Sequence, residues 1–186
     1  MKKSAFFLAL VMGLSLLAGC AGKPASSGSS GSAGSAGGAS SGASSAPAGP
    51  QGTLEEIMDK VFEGIPEDEM PMLMPADMNE GSKYMPLTVD NSEYNVGVPR
   101  DAYKEGIAAE SAISAIAHSV CLLRADSAEA AAQLAKDVEA NADPRKWVCV
   151  EAEKKIVRQS GDVVILIMTS ADLADRLDAN FQALAG

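Results

Sequence analysis

The chain is poor in the residues that most often carry metal, nucleic-acid or bilayer binding. It holds one histidine, three cysteines and one tryptophan in 186 residues. Once Cys20 is committed to the role given below, two cysteines and one histidine remain, too few for a structural zinc site of the Cys/His kind. Basic residues are scarce as well: 15 Lys and Arg stand against 25 Asp and Glu. All the acidic residues follow Cys20 while Lys2 and Lys3 precede it, so from Cys20 onward 13 basic face 25 acidic side chains, a net of −12. Such a charge repels phosphate backbones and anionic headgroups, which argues against nucleic acid as a partner and permits a basic partner face. No apolar run reaches the roughly 20 residues that a bilayer span needs. The longest, Ala5 to Leu17, has 13.

What is there begins with that run. Lys2 and Lys3, the apolar segment, and the small residues Ala18 and Gly19 before Cys20 have the layout of a secretory leader over residues 1–19. The ending Leu17-Ala18-Gly19-Cys20 is similar to the lipobox of bacterial lipoproteins. The resemblance implies cleavage before Cys20, diacylglycerol in thioether linkage on its thiol, and a lipidated new amino end. Two or more acyl chains, at about 0.8 kcal/mol per buried CH₂, give lasting attachment. The expected location is therefore the outer, extracytoplasmic face of the cell membrane, with the lipid anchor as the membrane contact.

Residues 20–52 read as the lipidated cysteine and a tether. From Gly22 to Gly52 there are only Gly, Ser and Ala with Pro24, Pro47, Pro50, Lys23 and Gln51. Such a segment has nothing to bury against its conformational entropy. Its root-mean-square reach is about 30 Å. The remainder, 53–186, has the length of one domain.

Within it, Thr53 and Glu56 form a capping box before Leu54, Ile57, Met58, Val61, Phe62 and Ile65, which repeat at helical spacing. Residues 66–100 are proline-rich, and "LTVDNSEYNVGVP" within them predicts a short helix capped by Thr88 and ending at Gly97, with a hairpin arm as the alternative. Tyr103 to Ala109 reads as an edge strand, and "HSVCLLRA" (118–125) as a strand apolar on both faces. Asp126 and Glu129 open a helix with Ala131, Leu134, Ala135 and Val138 on one stripe, ended by Pro144. "KKIVRQSGDVVILIMTS" reads as two strands joined at Ser160-Gly161-Asp162, the second central in the sheet. A last helix opens at Thr169 and Asp172 and carries Leu173, Leu177, Phe181 and Leu184. The order β-β-α-β-β-α after an amphipathic helix predicts an α+β fold: a small two-layer domain with a mainly antiparallel sheet and helices on one face.

Few residues propose chemistry. Met70, Met72, Met74 and Met78 lie within nine residues, and thioethers suit Cu(I); methionine is equally a filler of irregular apolar gaps. Cys121 and Cys149 are the pair available for a disulfide in an exported domain, closing a loop of about 28 residues worth roughly 3–4 kcal/mol, or are two small core hydrophobes. His118 has no nucleophile or orienting group at a suggestive spacing and is read as packing at a strand entry. Trp147, beside Arg145 and Lys146, is read as closing the core, with a cation–π contact or an exposed aromatic handle as alternatives. No motif asks for a cofactor, and no catalytic residue is assigned.

The segments "AISAIAHSVCLLRA" (112–125), "ADPRKWVCVEAE" (142–153) and "SGDVVILIM" (160–168) together resemble a family of short, lipid-anchored Gram-positive proteins carrying a domain of unknown function. The resemblance covers the folded part and transfers no role beyond that of Cys20. The reading is of a cell-surface lipoprotein that binds rather than catalyses. The alternatives are an enzyme or enzyme-regulating subunit of the envelope, and Cu(I) binding through Met70 to Met78.

Overall fold

The computed structural model describes residues 49–76 and 82–185. Cys20, the leader, most of the tether and Met78 lie outside the described residues. The element order is α1 (Leu54–Val61), a 3₁₀ turn (Glu67–Glu69), β1 (Met85–Pro86), α2 (Ser92–Val96), a second 3₁₀ turn (Arg100–Ala102), β2 (Glu105–Glu110), β3 (Ser119–Arg124), α3 (Ala128–Asn141), β4 (Lys154–Ser160), β5 (Val163–Thr169) and α4 (Ala171–Ala183). No helix among the described residues is long and apolar enough to cross a membrane.

The five strands form one sheet in the order β1-β2-β3-β5-β4, antiparallel throughout. The predicted α+β class and antiparallel sheet hold. The helices, however, cover both faces of the sheet, so it is the middle of three layers where two were expected. The reason lies in β3 and β5. Side chains alternate across a strand, and both strands are apolar at odd and even positions alike. Val120, Leu122, Ile165 and Ile167 pack with α1 and α4 on one face. Cys121, Leu123, Val164 and Leu166 pack with α3 and with Val96 of α2 on the other. Each large side chain buried in this way contributes about 1.5–3 kcal/mol.

Local rules account for most elements. Thr53 accepts from the Glu56 amide while the Glu56 carboxylate accepts from the Thr53 amide, the predicted capping box of α1. The helix at 92–96 forms, and its end at Gly97 (φ +73°) is as read, but its N-cap is Asn91 rather than Thr88. A Cβ at Gly97 would lie 2.4 Å from the Asn141 carbonyl carbon, so glycine lets the ends of α2 and α3 meet. The cap of α3 is Ser127, whose hydroxyl accepts from the Ala130 amide, in place of Asp126. The cap of α4 is Ser170 rather than Thr169, and the Glu153 carboxylate accepts from the Ala171 amide there. Strand β2 is not an edge: the two residues of β1 pair with it through Met85–Ala108 and Pro86–Ile107. Beyond them, Leu73 bridges Ser111, and the Met74 amide donates to the Glu110 carbonyl at 2.7 Å. A strap of residues 72–74 thus lies along the end of β2.

The tether is shorter than its composition suggests. Gly49 and Pro50 are buried. A Cβ on Gly49 would stand 2.4 Å from the Ser160 carbonyl oxygen, and the Gly52 carbonyl accepts from Arg124 Nη2 at 2.7 Å. Residues 49–52 therefore belong to the folded domain, seated on the β4–β5 turn.

Candidate functional site

The register of β2, β3 and β5 gathers the unusual chemistry at one end of the sheet. Ala108 and Glu110 share the face that carries Cys121, and Glu110 pairs with Ser119. The acidic side chain thus points into an apolar layer and needs a partner there. Lys146, in the segment between α3 and β4, supplies it: its Nζ donates to Glu110 Oε1 at 2.7 Å, to Asn95 Oδ1 at 2.8 Å and to Ser119 Oγ at 3.1 Å. The Ser119 hydroxyl donates in turn to Glu110 Oε1. The side chains of Lys146 and Glu110 are only 2% and 6% exposed. Two aromatic faces complete the cage, with the Lys146 ammonium 5.2 Å from the Tyr94 ring centre and 5.1 Å from that of Trp147.

An ammonium has three N–H bonds to give, and all three of Lys146 are spent on protein acceptors. It therefore orients the three acceptors around it. Glu110 is different. Burial raises its carboxyl above the usual range, and the nearby Lys146 opposes that rise without cancelling it. Its Oε1 takes two donors, while its second oxygen accepts no hydrogen bond from the described residues. Glu110 also stands in the wall of a cavity of about 340 Å³, with Tyr94, Trp147, Met74, Met85 and Asn95 around it. An apolar pocket with a few convergent polar atoms and one perturbed carboxyl is the usual form of a small-molecule site.

The opposite face of the same sheet end holds His118. One residue before Ser119, its ring turns to the other layer, against Phe62 (ring centres 6.3 Å apart). Its Nδ1 lies 3.0 Å from Thr169 Oγ1. The ring is fully buried, and burial lowers its pKa to about 4, with Lys146 a smaller cause. The reading of His118 as strand-entry packing agrees with this placement.

The remaining sites named from sequence are dispersed. Among the described residues the methionines share no single site: Met70 and Met72 border one groove with Phe62, Ile65 and Tyr84, Met74 borders the Glu110 cavity, and Met70 also borders a smaller cavity beside His118. The disulfide is not present. Cys121 is a free thiol, fully buried within β3, while Cys149 is free and exposed in the segment after α3. Burial pushes the Cys121 thiol up to about 12, with Glu110 a second cause. Trp147 is buried in the core as read, and its cation–π partner is Lys146. The exposed apolar handle beside it is Val148, 94% exposed on a loop closed by the Ala152 amide donating to the Pro144 carbonyl and by the Arg145–Glu151 ion pair.

The Glu110–Lys146 pair itself was missed in the sequence. A signal existed: in "GIAAE" the glutamate falls on the same strand face as Gly106 and Ala108, an acid placed where small core residues precede it. No family model, no curated protein and no solved structure matches the chain.

Proposed function

We propose that the chain is an extracytoplasmic lipoprotein, held at the membrane through Cys20, whose domain is a binding module that receives a small ligand in the Glu110 cavity. Anchorage rests on the Leu17-Ala18-Gly19-Cys20 ending and the tether after it. The observation that carries the binding half is the buried carboxyl in the wall of an apolar cavity, one oxygen locked by Lys146 and Ser119 and the other without a donor among the described residues. The ring faces of Tyr94 and Trp147 are already occupied by Lys146, so a cationic head gains little there. The ligand that suits the site is a compact, neutral, apolar molecule carrying an N–H or O–H donor for Glu110. The acidic surface disfavours nucleic acid and anionic lipid as partners.

The test is a titration of the ¹⁵N-labelled protein with N-acetyl amides of leucine and phenylalanine. Saturable shifts at Tyr94, Ser111 and the Trp147 indole are expected, with a dissociation constant below about 1 mM. Met74→Trp, which fills the cavity mouth and leaves the Lys146 network in place, removes them. Absence of any shift across both probes contradicts the binding reading.

A further inference from the structure

We propose that His118 Nε2 and the Met70 thioether form a site for one soft monovalent cation, Cu(I), on the sheet face opposite the Glu110 cavity. His118 is fully buried, yet its Nε2 has no hydrogen-bond partner among the described residues. A buried nitrogen left in this state is costly, and native structures rarely tolerate it without a use. The ring stands in the wall of a cavity of about 280 Å³ that Met70, Ile116 and Leu173 also line. Its other nitrogen is held by Thr169 Oγ1 at 3.0 Å. With Nδ1–H donating to that oxygen, the lone pair of Nε2 is left for an ion, which is how a metal-binding imidazole is oriented.

The donor set selects the ion. Neutral imidazole with a thioether suits Cu(I), whereas hard and borderline divalent ions ask for several carboxylate, imidazole or thiolate ligands. No three His, Cys, Asp or Glu side chains converge among the described residues. Met70 is half-buried and follows the 3₁₀ turn at Glu67–Glu69. Its three rotatable bonds leave the sulfur adaptable within the cavity it shares with His118. Asp68 and Glu69 border the same cavity and favour cations near its mouth, although Glu69 is shared with Arg176. This site differs from a four-methionine cluster: it needs Met70 and His118, and makes no use of Met72 or Met74.

The experiment is anaerobic competition for Cu(I) against bicinchoninate, using the full chain with Cys20→Ser and Cys149→Ser so that no accessible thiol competes. One equivalent of Cu(I) is expected to be withdrawn from the indicator. Met70→Leu, close in volume, weakens retention by at least about tenfold, while Met72→Leu with Met74→Leu leaves it unchanged. Because a His118 variant can perturb the fold, the histidine is tested in the unaltered ring: Cu(I) shifts the ¹⁵N resonance of Nε2, and Nδ1 keeps its proton. Failure to compete with the indicator, retention insensitive to Met70→Leu, or retention lost with Met72 and Met74 each overturns the site.

Discussion

Lys146 Nζ lies 2.7 Å from Glu110 Oε1, 36 residues away in sequence, and both side chains are shut off from solvent. A buried pair of this kind is weak evidence of stabilisation relative to an apolar replacement, but removing one partner strands a charge. Lys146→Met is therefore expected to cost about 3–5 kcal/mol, read from denaturant midpoints. Adding Glu110→Leu restores most of it, because no charge is left unpaired. A loss below about 1 kcal/mol for the single variant, as for an exposed pair, counts against the network.

His118 gives the fold an acid sensitivity of known sign. Its pKa is lowered from 6.5 to about 4 in the native state, so between those values the unfolded chain binds more protons. The contribution is complete above pH 6.5 and is lost as pH falls toward 4. At about 1.36 kcal/mol per unit it amounts to about 3 kcal/mol. Glu110 works the other way, since its raised pKa makes stability fall as pH rises from the ordinary carboxyl range. Comparing wild type with His118→Gln isolates the histidine: the variant's unfolding free energy is expected to vary less between pH 7 and pH 4. Parallel pH profiles contradict this.

The two thiols differ in reach. Cys149 is expected to react with a maleimide in the native protein, and Cys121, whose thiol is buried and held up to about 12, only on unfolding. A non-reduced protein in which neither thiol can be labelled after unfolding indicates the bridge that the structure lacks.

Gly97→Ala places a Cβ 2.4 Å from the Asn141 carbonyl carbon at φ +73°. The fixed backbone of α3 cannot yield as a side-chain tip does, so a loss above about 2 kcal/mol is expected in thermal unfolding. Thr53→Ala, which removes only a hydroxyl cap, costs about 1 kcal/mol. An equal loss for the two contradicts the packing of α2 against α3.

What was legible in the sequence is what depends on neighbours. The capping box of α1 works across three residues, and the β4–β5 hairpin across a two-residue turn at Gly161 (φ +57°). The double-faced apolarity of β3 and β5 was also readable; its consequence, that helices must cover both sides of the sheet, was not drawn. Adjacent Asp126 and Ser127 offer equivalent oxygens, so only the backbone decides which one caps α3. Gly49 and Gly52 are indistinguishable by composition from the tether before them, and only the approach of Gly49 to Ser160 and the hydrogen bond from Arg124 to the Gly52 carbonyl set them apart. Asn95, Glu110, Ser119 and Lys146 meet through sheet register and the path of the chain after α3, which no local pattern encodes.

The proposal that the domain binds its ligand outside the cell depends on how the chain is held. Mass spectrometry of the protein extracted from its own membrane tests this most directly. The account predicts an amino end at Cys20 with a diacylglyceryl thioether on the sulfur, and loss of that form in Cys20→Ala. An unmodified Cys20, or a chain that still carries residues 1–19, contradicts it.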